Sequence, residues 1–336
     1  MRFSRLINTV DTHTEGEPTR IITGGIKSIP GKTMVQKMEY FRSNLDHIRT
    51  ALMAEPRGHK DMFGCFLTEP VSEKADYGLI FMDNEQYLSG CGHATIGIST
   101  ALAELGMVEV KEPITKMVLE PPSGLIEVEA KMLNGRAESV TFRNVPAFVE
   151  YMDKEIEVPG IGTLKVDVAF GGNYFVFFKA QDVNLEVLPK NIEKVIDICL
   201  DVKSAANQQL KVQHPKLPHN NHINIATILT QPKNQEADYL CVHVFSTRQF
   251  DHSPGGTGTS AWMAVLHSKG QLELEREVHA ESITGGIFTG RLISETSFEG
   301  KKAVIPEITG SAYITGFHQF VIDENDRIKN GFLIGY

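Results

Sequence analysis

Four cysteines, Cys65, Cys91, Cys199 and Cys241, are the side chains in this sequence with the widest range of possible chemistry. They lie far apart and form neither a CxxC pair nor a Cys/His cluster at metal-ligand spacing, so no disulfide framework and no zinc site is expected. Free cysteine is more often a small buried hydrophobe than a nucleophile, so each thiol has to be judged by its neighbours. Cys65 sits in the apolar run Met62-Phe63-Gly64-Cys65-Phe66-Leu67, and Cys241 in a strand-like run over 239–245. Burial in such runs raises a thiol pKa and makes the group inert. Cys199 shares a helical face with Ile192, Val195, Ile196 and Val202, which places it in a core.

Cys91 differs because it opens Cys91-Gly92-His93-Ala94-Thr95-Ile96-Gly97, and this segment has an ungapped counterpart in Gly255-Gly256-Thr257-Gly258-Thr259-Ser260-Ala261. Each is read as the start of a helix that runs to a glycine, Gly106 or Gly270, suited to a helix C-cap. Either glycine-rich opening alone reads as a tight strand-to-helix turn. The matched pair points instead to a site. A helix start presents unpaired N–H groups and the positive end of the helix dipole, and glycines let a ligand approach that backbone, so a carboxylate is the natural guest. A thiol held there is drawn below its free pKa of ~8.5, so Cys91 is the one cysteine with a sequence reason to be a thiolate base.

The elements that must position these residues are mostly strands. Segments 6–10, 77–82, 115–119, 239–245 and 312–322 are rich in β-branched or aromatic residues, and Asn134-Gly135 divides two alternating runs between 125 and 142 as a type I′ hairpin would. Amphipathic helices are expected over 33 to about 50 and 189 to about 205. The two helices that begin at Cys91 and Gly255 carry almost no charge before their last turns, which predicts central helices wrapped by sheet. The fold class is therefore α+β, with a partly antiparallel sheet. At 336 residues the chain exceeds one ordinary core, and two domains of similar size are expected.

Composition narrows the partners. A net charge of −9, with 33 Lys and Arg scattered along the chain, argues against nucleic acid or an anionic membrane and favours a small molecule. The first ten residues carry Arg2 and Arg5 but no apolar stretch like that of a signal peptide, and no window approaches ~20 apolar residues, so a cytoplasmic protein is expected.

The motifs Asp11-Thr12-His13-Thr14-Glu15-Gly16-Glu17-Pro18-Thr19-Arg20, Glu55-Pro56-Arg57-Gly58-His59-Lys60-Asp61-Met62-Phe63-Gly64, Cys91-Gly92-His93, Phe170-Gly171-Gly172, 251–261 and 308–312 together carry a resemblance along nearly the whole chain. The sequence resembles the proline racemases, with the hydroxyproline 2-epimerases and trans-3-hydroxyproline dehydratases. The resemblance implies a diaminopimelate epimerase-like fold: two pseudo-symmetric domains, each a curled sheet around a central helix, with a ligand in the cleft between them. Domain limits of 1–160 and 161–317 are expected, with about 318–336 returning to the first domain. The resemblance also implies that backbone N–H groups at Gly92, His93, Gly256 and Thr257 hold the substrate carboxylate, that Asp251 and His93 hold the ring nitrogen, that no metal or organic cofactor takes part, and that the protein is a homodimer.

One position departs from the family pattern. Racemases and epimerases carry a second cysteine where this chain has Gly255, and dehydratases usually have threonine there. Two-base racemisation needs a group on each face of Cα, and glycine offers none. The expectation is therefore dehydration of trans-3-hydroxy-L-proline by Cys91 alone, set against proline racemisation or 4-hydroxyproline epimerisation with a substitute second group, and against a non-catalytic imino-acid binder. Gly255 leaves open whether an ordered water or a bulkier ring substituent takes the space. Arg57 reads as structural, His13 and His59 as structural or cleft residues, and Glu15 and Glu17 as a solvated face.

Overall fold

Asn134 and Gly135 adopt φ of 52° and 76°, the positive values that a two-residue type I′ turn demands, and they join two strands of the first unit. In chain order that unit contains β1 (Arg5–Thr14), β2 (Glu17–Gly24), α1 (Met34–Met53), β3 (Phe63–Thr68), β4 (Tyr77–Asp83), β5 (Tyr87–Leu88), α2 (Gly92–Glu104), β6 (Ile114–Glu120), β7 (Ile126–Leu133) and β8 (Arg136–Arg143). The structure, a computed structural model, describes residues 4–216 and 220–334. Arg2 and residues 335–336 of the returning segment lie outside the described residues.

Helix α1 starts where the sequence predicts, because the Thr33 side chain accepts the Gln36 N–H at 3.1 Å. Its buried Phe41, Ile48 and Leu52 join Ile7, Ile22, Phe66, Ile80 and Met82 in one core, and each such side chain contributes roughly 1.5–3 kcal/mol by leaving water. Helix α2 is different in kind: every residue from Gly92 to Ala103 is buried, so it has no wet face and packs against β1, β2, β3 and β7.

The second unit follows the same order after one additional leading strand, with β9 (Phe148–Val158), β10 (Gly162–Phe170), β11 (Tyr174–Lys179), α3 (Ile192–Gln209), β12 (Ile225–Thr230), β13 (Tyr239–Phe245), β14 (Gln249–Phe250), α4 (Gly256–Ser268), β15 (Glu277–Glu281), β16 (Ile287–Phe298) and β17 (Lys301–Gly310). The helix read from 189 begins as a short 3₁₀ turn at Pro189–Asn191 and becomes α-helical at Ile192. Val195, Ile196, Cys199 and Val202 face a core with Val176, Ile228, Val242 and Val244. Helix α4 packs against β9, β10, β11 and β16.

The wiring of the two units corresponds step by step. Strands β2 and β3 are parallel across α1, as β11 and β12 are across α3; β4 and β6 are parallel across α2, as β13 and β15 are across α4. Even the carboxylates that tie the loops correspond. Glu120 accepts the N–H groups of Val71 and Ser72, as Glu281 accepts those of Lys233 and Asn234; Asp76 accepts from Val118, as Asp238 does from His279.

The chain divides into 1–142 with 310–336, and 143–309. Both limits differ from those read in the sequence, and pairing explains why. Strand β9 pairs along its length with β10 and so belongs with the second unit, while β18 (Ala312–Ile322) pairs with β1 from Thr14↔Ala312 to Arg5↔Ile322. Among the described residues no helix is long and apolar enough to cross a membrane. The fold is mixed α+β, with few helices and long curled strands.

Candidate active site

In the first unit, β1 and the start of α2 bring Cys91, Gly92 and His93 together. Gly97 permits this approach: a Cβ there would lie 2.6 Å from Thr12 Oγ1 and 3.0 Å from Thr14 Oγ1. The Thr14 hydroxyl then donates to the His93 carbonyl at 2.8 Å, fixing the first turn of the helix. Cys91 is the N-cap residue, extended at φ −154° and ψ 126°, and its carbonyl accepts from the Thr95 N–H at 3.1 Å and hydroxyl at 2.6 Å. Its thiol makes no capping hydrogen bond and is half-buried. The sulfur lies 3.1 Å from His93 Nδ1, and the buried imidazole stands against the Phe63 ring at 4.6 Å between centroids. A thiol, an imidazole and the leading N–H groups of a helix thus share one corner. Such an arrangement can hold negative charge on sulfur and pass a proton.

The remaining three thiols are buried, and burial pushes each well above the ordinary cysteine range. They are packing residues.

In the second unit, Asp251, Gly255, Gly256 and Thr257 gather at the start of α4. Gly171 makes the close fit possible, since a Cβ there would lie 2.6 Å from the Ala261 nitrogen and would strike the Thr257 carbonyl. Gly255 is the N-cap residue but has φ 71° and ψ 103°, unlike Cys91 at the matched position. Asp251 Oδ1 accepts from the Ser253 N–H at 2.8 Å and hydroxyl at 2.7 Å. Burial raises the Asp251 carboxyl to about 6, against the lowering effect of the two Ser253 hydrogen bonds. Its Oδ2 would stand 3.3 Å from a Cβ on Gly255.

A residue that the sequence reading did not single out stands behind this helix start. His243 on β13 is buried, and a Cβ on either Gly255 or Gly258 would lie 2.6 Å from its Nε2. Nothing in its spacing announces it; the only signal is a histidine inside an otherwise apolar strand.

Other motif residues have structural partners. Arg20 grips buried Asp11 through Nε and Nη2, and donates to the carbonyls of Leu52 and Arg57. Arg57 donates to the Lys329 carbonyl at 3.2 Å. His13 Nδ1 accepts the Gly16 N–H and the ring stacks on Tyr313, while His59 is exposed. Glu17 is 1% exposed and Glu15 is half-buried, so the expected solvated face is corrected: Glu17 opens β2, a strand whose residues Thr19 to Ile22 are all buried. A depression of about 470 Å³ in the second unit is lined by Asp153, Asp167, Trp262 and Lys269, along the later turns of α4 and away from its start. Lys269 bridges Asp153 at 3.0 Å and Asp167 at 2.8 Å there.

Residues 9–333 match the family described as proline racemase. The chain is 46% identical over 334 residues to a proline racemase of Clostridioides difficile, covering 99% of this chain and all of that one. It is 41% identical over 334 residues to a trans-3-hydroxy-L-proline dehydratase of Azospirillum brasilense, with the same coverage. Among solved structures, a hydroxyproline epimerase from Agrobacterium vitis with bound trans-4-hydroxy-L-proline superposes with a TM-score of 0.90 at 30% identity, covering 99% of this chain and 96% of that one. With 99% of its length matched to a proline racemase and residues 9–333 matching the family, the chain belongs to the proline racemase family of enzymes.

Proposed function

We propose that the protein is a cofactor-independent hydroxyproline dehydratase that converts trans-3-hydroxy-L-proline into pyrroline-2-carboxylate, with Cys91 as its single acid and base. The observation that carries this reading is the contrast between the two helix starts: a half-buried thiol beside an imidazole at α2, and a glycine at φ 71° at α4. In trans-3-hydroxy-L-proline the α-hydrogen and the 3-hydroxyl lie on the same ring face, so one group can serve both. The Cys91 thiolate takes the α-proton, and charge flows onto the carboxylate, where the N–H groups of Gly92, His93, Gly256 and Thr257 stabilise it. As the Cα=Cβ bond forms, the C3–O bond breaks and the thiol returns its proton to the departing oxygen, releasing water. The enamine product then tautomerises to the imine. Asp251 and His93 orient the ring nitrogen.

Isomerisation is the second reading, favoured by the 46% identity to a proline racemase, which exceeds the 41% to a dehydratase. Incubation with trans-3-hydroxy-L-proline and, separately, with L-proline in D2O separates them. The dehydratase yields a pyrroline from the first and no D-proline from the second. D-proline carrying solvent deuterium, with no pyrroline from the hydroxylated substrate, establishes the isomerase instead. Family habit supports a homodimer, and light scattering checks the assembly.

A further inference from the structure

The two helix starts differ in backbone as well as in side chain. Residue 91 is extended, with φ −154°, while residue 255 is at φ 71°, a conformation that side chains with a Cβ rarely adopt. The cause lies one peptide earlier. The Pro254 carbonyl is turned inward and accepts from His243 Nε2 at 2.8 Å, from the Thr259 hydroxyl at 3.2 Å and from the Cys241 thiol at 3.4 Å.

A carbonyl can only accept, so His243 Nε2 carries the proton and donates. In the neutral ring that burial favours, the other nitrogen, Nδ1, accepts from the Thr227 hydroxyl at 2.7 Å. Both ring nitrogens are used, and the ring fills the space behind the helix start. A Cβ on Gly255 would strike His243 Cδ2 and lie 2.6 Å from its Nε2; a Cβ on Gly258 would strike Cε1.

We propose that His243 is a specificity-determining residue for this enzyme. By holding the Pro254 carbonyl inward it fixes residue 255 at positive φ, occupies the volume toward which a side chain there would point, and keeps the α4 start free of a second acid/base group. Gly255 is then one half of a pair, and changing it alone cannot install the missing group. His243 touches no reacting atom; it acts through the peptide it holds. The consequence for chemistry rests on the single-thiol reading above, but the coupling itself can be read without substrate.

The test is a cycle of Gly255→Cys, His243→Val and the double variant in the full-length protein, followed by thermal unfolding and by proton exchange at Cα of L-proline in D2O. Gly255→Cys alone is expected to lower Tm by several degrees and to form no D-proline. The double variant is expected to recover most of the Tm lost through the cysteine and to form D-proline carrying deuterium. Additive Tm losses, D-proline from Gly255→Cys alone, or a double variant without exchange each overturn the proposal. Because His243→Val can itself compromise folding, a measurement on the unmodified protein stands beside the cycle. Imidazole 15N spectra near neutral pH should show His243 neutral with its proton on Nε2; a charged ring or an Nδ1–H tautomer overturns the proposal as well. Absence of pyrroline from the unmodified enzyme would instead defeat the dehydratase reading and leave the Tm coupling standing.

Discussion

At the scale of residues, four chemically identical thiols are separated by their surroundings. Cys65, Cys199 and Cys241 are buried and pushed well above the ordinary range, whereas Cys91 is half-buried, next to His93 and at a helix start. Iodoacetamide at neutral pH should therefore label Cys91 in the native protein and spare the other three, as read by peptide mass analysis. Pyrrole-2-carboxylate, a planar mimic of the deprotonated substrate, should protect it. Labelling that is faster at Cys241 than at Cys91 would remove the basis for naming Cys91 the base. These assignments could be read from the chain because each cysteine carries its environment in its immediate neighbours. The burial of Glu17 could not, since it depends on how β2 is enclosed as a whole, between β1 and β3, with consecutive residues buried on both faces.

At the scale of elements, the central helices were legible because their boundaries are chemical: Gly106 and Gly270 end them at φ 63° and 68°, and their lack of charge marks them as enclosed. Their unlike starts were not legible, because the Pro254 peptide is turned by a residue on another strand. That link predicts a pH effect. Burial lowers His243 from 6.5 to about 4, so the folded state holds it neutral while the unfolded chain protonates it earlier. Its contribution is complete above pH 6.5 and is lost as pH falls through 4, amounting to about 3 kcal/mol over that window. Asp251 works in the opposite sense: its carboxyl, raised to about 6, favours the folded state at low pH and loses that contribution as pH rises through 6. The Cys241 thiol, 3.5 Å from the ring, stays neutral throughout. Chemical denaturation of the native protein and His243→Gln between pH 7 and 4 isolates the histidine. The variant should lose less stability on acidification; parallel curves would mean that His243 is not held neutral.

At the scale of the molecule, the repeated order of strands and helices was visible only where it left matched motifs, so domain limits were the least legible feature. A boundary depends on which distant strands pair, and no local pattern in 148–158 says that it joins β10. The pairing makes the two units unequal as chains. Residues 143–309 are continuous and carry their own core, whereas 1–142 lack β18, which covers the length of β1 and packs on α2. Without β18 the first unit would expose an unpaired β1 edge and one side of a helix that has no polar face. A fragment of 143–309 should therefore unfold cooperatively on its own. A fragment of 1–142 should aggregate or resemble a loosely packed state until a chain containing 310–336 is supplied. Circular dichroism and hydrogen exchange on the two fragments decide the matter, and protection of α2 amides in 1–142 alone would show that the returning strand is dispensable.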